Sequence, residues 1–148
     1  MNKRYWIGIV SEEHVRLGEK GGFAQLCHGK CAPLKKMKEG DGLIYYSTKT
    51  KYPDGYPLQS FTAIGTVKTG DVYRYEMSPE FIPYRIDIEY QPCQNVKYSS
   101  IKPMLKFPKE YDNIGLVFRR GQFEIKQEDF ITIATAMGVT FHGMGIQI

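Results

Sequence analysis

With 148 residues and a net charge of +4, the chain has the length of one domain, residues 1–148, and leaves little room for a second core. Its 42% hydrophobic and 14% aromatic content, with 11 Tyr and 8 Phe, excludes a disordered composition and leans toward strands and stacking surfaces. A pI of about 8.9 permits a polyanion partner without demanding one, because clear nucleic-acid binders carry a stronger basic bias.

Tyr5 to Val10 is dense in β-branched and aromatic residues and predicts a strand. The run is too short for a secretory h-region, and no run approaches the roughly 20 apolar residues of a membrane span. A cytoplasmic protein without a membrane partner is therefore expected. Ser11 is placed to cap the next helix, with Glu12 and Glu13 in its first turn, where carboxylates suit the helix dipole. Gly18 and Gly21-Gly22 end that helix. Phe23 to Pro33 has no clean period and reads as a structured surface loop, after which Pro33 starts a short turn carrying Leu34 and Met37 inward.

Gly40-Asp41 is a turn, and Leu43 to Ser47 is a strand. Lys49 to Leu58 (KTKYPDGYPL) reads as a long loop, and loops of that length are often functional. Phe61 to Val67 is a strand, and Thr69-Gly70-Asp71 is expected to turn the chain into a second one, Val72 to Met77. Pro79 and Pro83 bracket Phe81. Tyr84 to Tyr90 alternates Arg85, Asp87 and Glu89 with Ile86, Ile88 and Tyr90, the period of a half-buried strand with its charged row in water.

Ile101 to Leu105 predicts a short helix. Leu116 to Phe118 and Phe123 to Ile125 read as a hairpin around Arg119-Arg120-Gly121. Glu128 to Met137 predicts a helix with Phe130, Ile133, Ala134 and Met137 on one face and Gly138 closing it. Val139 to Ile148 carries no assignable pattern. The sum is an α+β fold, a small, partly open β-barrel of about five to six strands with short helices packed outside. Strands do not alternate regularly with helices, so a doubly wound sheet is not expected.

Cys27-His28 and Cys31 form a cluster, but a zinc site needs four ligands and Cys93, His14 and His142 are scattered. The odd cysteine count argues against a disulfide framework. Cys27 beside His28 is a poor nucleophile-base pair, since adjacent extended residues point opposite ways. Asp87 and Glu89, with Arg85, look like a solvated charge row rather than an acid-base pair. There is no Walker motif, and Gly143-x-Gly145 is too short a fragment to use. What remains is a binding constellation. Lys30, Lys35, Lys36 and Lys38 cluster, Lys49 and Lys51 lie beside Tyr45, Tyr46, Tyr52 and Tyr56, and Arg119 and Arg120 are adjacent. Cations interleaved with flat rings are what a nucleic-acid strand needs, though a solvated lysine face over a tyrosine core would look the same.

Six blocks in order carry a resemblance: YWIGIVSEEHV (Tyr5 to Val15), GFAQLCHGKCAPLKKMKEGD (Gly22 to Asp41), YYSTK (Tyr45 to Lys49), PLQSFTAIG (Pro57 to Gly65), FIPYR (Phe81 to Arg85) and FRRGQFEIKQEDF (Phe118 to Phe130). The chain resembles the EVE domain family of the PUA-like superfamily, related to YTH and ASCH domains. The resemblance implies a PUA-like barrel with flanking helices and a non-catalytic module that takes a modified base of DNA or RNA into an aromatic-lined pocket. It implies no cofactor and no metal, and a monomer is expected. Carried onto this sequence, it implies base-binding roles for Ser11, Phe23, Gln25, His28, Lys30, Tyr46, Ser47, Gln59, Phe61 and Arg85. Phosphate contacts are implied for Lys30, Lys49, Arg85 and Arg119. Thr48 stands where the family commonly has Pro, and Ile114 where it commonly has Trp, so the pocket's rim differs. Because the ligand does not transfer with the fold, the alternative is a binder of a nucleoside-like or acidic metabolite, or an ASCH-like enzyme.

Overall fold

The structure, a computed structural model, describes residues 2–140. His142, the Gly143-x-Gly145 fragment and most of the unassigned tail lie outside the described residues. In chain order the elements begin with β1 (Tyr5–Ile9), α1 (Glu12–Gly21), β2 (Phe23–Ala24), a 3-10 turn (Cys27–Gly29), α2 (Cys31–Lys35), β3 (Gly42–Lys49) and β4 (Pro57–Arg74). They continue with β5 (Tyr84–Tyr90), β6 (Val96–Lys97), α3 (Tyr98–Ile101), a second 3-10 turn (Lys102–Met104), α4 (Phe107–Glu110), α5 (Ile114–Phe118), β7 (Gln122–Ile125) and α6 (Gln127–Ala136).

The seven strands form one open sheet in the order β2-β5-β4-β3-β1-β7, with β6 added to β4. That is one or two strands more than expected, in an α+β architecture of PUA-like type. Every pairing is antiparallel except β1 with β3, which run in parallel from Tyr5 opposite Gly42 to Ile9 opposite Tyr46. Both strands of this parallel pair are buried on both faces over most of their length, so they read as near-continuous apolar runs. Ile7, Ile44 and Tyr46 face one core cluster with Phe107, Phe123, Phe130 and Ile133. Trp6, Leu43 and Tyr45 face a second cluster with Leu26, Leu34, Val67, Ile86 and Ile88.

Three local expectations are corrected. Thr69-Gly70-Asp71 does not turn the chain. β4 runs straight through it, and the register shifts between Val67 and Val72, the unpaired-residue signature of a bulge that glycine in a strand often marks. Leu116 to Phe118 is not a hairpin arm but part of α5. The Asn113 side chain accepts from Leu116 N at 3.3 Å and caps that helix. The stretch from Phe23 onward is not a plain loop: it holds β2, the 3-10 turn and the start of α2. Ser11 does cap α1, its Oγ accepting from His14 N. Among the described residues no helix is long and apolar enough to cross a membrane.

The amino-terminal ends of the parallel pair are tied by one buried carboxylate. Asp41 accepts from Arg4 N at 3.1 Å, Trp6 Nε1 at 3.2 Å and Lys38 N at 2.9 Å. Hydrogen bonds to a charged acceptor contribute about 1.5–3 kcal/mol each and leave unmet donors when lost, so Asp41→Ala is expected to cost about 3 kcal/mol of stability, read as a lowered urea midpoint.

Candidate functional site

Because β1 and β3 run in parallel, their carboxyl ends finish side by side. Ile9, Val10 and Ser11 leave β1 there, and Tyr46, Thr48 and Lys49 end β3. The chain is sewn across this edge by Ile9 N donating to Gly121 O (2.9 Å) and Val10 N donating to Tyr46 O (3.2 Å). A cavity of about 1040 Å³ opens at this point, completed by Gln59 from the start of β4, the Cys27–Gly29 turn and the end of α5. That is the upper end of the roughly 300–1,000 Å³ typical of ligand sites, and it exceeds what one base alone would fill.

One wall is aromatic. Tyr46 and Phe118 stack with ring centroids 4.6 Å apart, and Tyr98 meets both edge-on. Burial pushes the Tyr46 hydroxyl up to about 12 and raises that of Tyr98. The Tyr98 hydroxyl is buried and has no hydrogen-bond partner among the described residues. At the rim, Tyr52 is 78% and Phe81 40% exposed.

The opposite wall is polar and braced from behind. Gln25 is 4% exposed, and its Oε1 accepts from Arg85 Nε at 3.0 Å. The Arg85 guanidinium lies 3.7 Å from the centroid of the Phe23 ring and 4.0 Å from that of Tyr75, so two aromatic faces hold it in a sandwich. A guanidinium only donates, so the orientation of the Gln25 amide is fixed: Oε1 faces Arg85 and Nε2 remains as the donor. The nearest partner of Nε2 is a weak one, Met77 Sδ at 3.9 Å. His14 Nε2 donates to the Gln25 carbonyl oxygen at 3.0 Å. Burial, with the Arg85 charge adding to it, holds the His14 imidazole below its ordinary range, so it is neutral.

The charge at the rim has one sign. Lys30, Lys49, Arg119 and Arg120 line the cavity, and among the described residues no Asp or Glu does. The backbone is strained at the same place. The three non-glycine residues with positive φ among the described residues are Cys27 (50°), His28 (62°) and Gln59 (44°), and all three line the cavity. Such conformations cost about 1–3 kcal/mol each and cluster at ligand sites. Two glycines make the turn possible. A Cβ on Gly29 would stand 2.4 Å from Pro83 Cβ, and one on Gly121 would stand 2.7 Å from Cys27 Sγ.

Of the residues singled out from sequence, Ser11, Gln25, His28, Lys30, Tyr46, Lys49, Gln59 and Arg119 come together around the cavity. Four do not line it. Ser47 is fully buried on the other face of β3, sharing a hydrogen bond with Thr62 Oγ1 at 2.8 Å. Phe61 is fully buried behind Tyr46, centroids 5.4 Å apart. Phe23 and Arg85 form the brace behind Gln25. Arg85 is only 7% exposed and is no member of a solvated row, because Phe23 and Tyr75 cover the outer sheet face that alternation places in water.

Sequence reasoning missed His14, Tyr98, Phe118 and Phe81 as lining residues. Phe118 lies beside Arg119 in one of the six blocks and was within reach. Tyr98 had no local signal, since only the fold brings α3 to this edge. Cys27 lines the cavity too, but burial raises its thiol pKa against the pull of Lys30 and Lys36, the reverse of what a nucleophile needs. Among the described residues no group of three or more His, Cys, Asp or Glu is placed to hold a metal ion.

His14 carries a pH dependence whose sign is fixed. Its folded pKa lies below the unfolded value of about 6.5, so the unfolded chain binds more protons and stability falls as pH drops below about 6.5. Urea midpoints should fall between pH 7 and pH 5 in the natural chain, and the fall should be shallower in His14→Gln.

Comparison with known proteins gives concordant matches. The family model described as EVE domain matches residues 4–136. The chain is 60% identical over 146 residues to UPF0310 protein YdcG of Bacillus subtilis, covering 99% of this chain and all of that protein. It is 43% identical over 138 residues to a UPF0310 protein of Streptococcus mutans, covering 90% and 96% of the two chains. Among solved structures it is similar in fold to the YTH domain of Zygosaccharomyces rouxii MRB1 in complex with N6-methyladenosine RNA. There the TM-score is 0.61 at 12% identity, over 92% of this chain and 87% of that one. It is also similar to the N-terminal domain of Staphylothermus marinus McrB, with TM-score 0.52 at 15% identity over 91% and 98%.

Proposed function

This chain belongs to the EVE domain family, and we propose that it is a non-catalytic nucleic-acid-binding module that takes one modified base into the cavity at the ends of β1 and β3. The observation that carries this reading is the lining of that cavity: among the described residues, four cations and no carboxylate, beside a wall of aromatic rings. The cations suit a phosphate backbone, and the rings suit an unstacked base. The similarity in fold to a YTH domain crystallised with N6-methyladenosine RNA supports the same reading.

Bringing a base out of its stack costs a few kcal/mol, least in a strand that is already single. A ring such as Phe118, or Phe81 at the rim, returns about 1–3 kcal/mol by stacking. Gln25 Nε2, aimed by Arg85, offers a donor to an acceptor on the base edge. A methyl group on the base would be selected by shape, at roughly 0.8 kcal/mol for each buried carbon. Lys30, Lys49 and Arg119 hold the flanking phosphates. Ser11 and His28 stand at the lip, within the lining, where they contact the entering nucleotide.

Titration with short single-stranded oligonucleotides, modified and plain, across a range of salt tests this. Affinity should fall with salt by a log-log slope of about −0.7 for each phosphate neutralised. Arg119→Ala should weaken binding to all sequences alike and make the slope shallower by about 0.7. Salt-independent binding of a free nucleoside, with no oligonucleotide binding, would instead support a metabolite site.

A further inference from the structure

We infer that a second groove beside the cavity is the subsite for the nucleotide next to the one in the cavity, holding its phosphate on Lys36 and Arg120 and its sugar or base against Tyr111. This rests on the nucleic-acid reading above and specifies the path of the strand. The groove, about 600 Å³, is lined by Lys36 from the end of α2, Tyr111 from the end of α4, Arg4 ahead of β1, and Gln122 and Glu124 of β7. It shares two residues, Cys27 and Arg120, with the main cavity. The two hollows are therefore neighbours across a single ridge.

That ridge is fixed by backbone. Cys27 sits at positive φ, its Sγ donates to Arg120 O at 3.6 Å, and the bare Cα of Gly121 admits the sulfur. Lys30 in the cavity and Lys36 in the groove both act on the Cys27 thiol between them. The cationic rim thus continues over the ridge rather than stopping at it.

The charges in the groove are unequal in what they can do. Arg4 is engaged: its Nε and Nη2 bind both oxygens of Glu124 at 3.0 and 2.7 Å, and it lies over the Trp6 ring. This pair uses the one carboxylate that lines the groove among the described residues. Lys36 and Arg120 make no ion pair among the described residues. Arg120 lies 5.8 Å from the Tyr111 ring centroid, which sets a cation beside a flat face. Two cations free of ion pairs among the described residues, next to an aromatic ring and joined to the main cavity, are the arrangement that a continuing strand requires.

The test compares three chains by fluorescence anisotropy: the natural one, Lys36→Glu, and Lys68→Glu as a charge-matched control outside both hollows. The probes are a labelled mixed-sequence single-stranded hexanucleotide and, by competition, the nucleoside monophosphate released from the best-bound strand. Lys36→Glu should bind the hexanucleotide about tenfold more weakly with a salt slope shallower by about 0.7, while mononucleotide binding is unchanged. Lys68→Glu should leave both near the natural values. Equal weakening by the two variants, no weakening by Lys36→Glu, or equal loss of both probes overturns the second subsite while leaving the cavity intact. Failure of the natural chain to bind any strand would overturn the reading of the cavity itself.

Discussion

Two strands that run the same way must finish on the same side of a sheet. That constraint, set by the parallel pairing of β1 with β3, organises the rest of this protein. At one end the pair is locked by the Asp41 carboxylate, which collects three donors from two segments, the chain entering β1 and the turn before β3. At the other end backbone hydrogen bonds such as Val10 N to Tyr46 O hold the edge, and the chain leaves both strands there. Loops and edges that diverge from parallel carboxyl ends create a crevice, as they do in other sheets with parallel strands. The antiparallel neighbours complete it: β4 brings Gln59 to the mouth, and the α5–β7 junction brings Phe118 to Gly121.

Arg85 is a costly residue for the fold to hold, and what holds it gives it a role. A nearly buried guanidinium loses hydration, and among the described residues no carboxylate pairs with it. Two aromatic faces and one amide oxygen stand in, each ring contributing about 0.5–2 kcal/mol. The result is a rigid support for Gln25 and a positive field that helps keep His14 neutral. Phe23 and Arg85 act on the cavity through Gln25 rather than by touching its contents. The strained Cys27-His28 turn is a second investment at the same place, stabilised by Gly29 and Gly121, whose missing side chains allow the close approach.

Much of this was legible along the chain. Ser11 followed by two glutamates marked the start of α1, and the alternation in Tyr84 to Tyr90 placed β5. The G-F-x-Q-x-x-H-G-K stretch brought Gln25, His28 and Lys30 to one site. What was not legible follows from distance in sequence. Alternation assigns Arg85 to the outer face correctly, but nothing local says that Phe23 and Tyr75 cover it. Ser47 lies between Tyr46 and Thr48, which line the cavity, and a period of two sends it to the far side, whereas Phe61 is covered by Tyr46, a contact across strands that no local pattern gives. The glycine at position 70 looks the same in a turn and in a bulge. The Leu116 to Phe118 stretch is too short for its period to decide, and its helical state depends on the Asn113 cap.

The central claim is that a nucleic-acid strand enters at the carboxyl ends of β1 and β3. Amide chemical-shift mapping during titration of a single-stranded oligonucleotide tests it most directly. The account predicts that perturbations concentrate in residues 9–11, 25–30, 46–49 and 118–121, with little change along the outer face of β5. Perturbations confined to β5 and the end of β4, with the cavity residues unmoved, would contradict it.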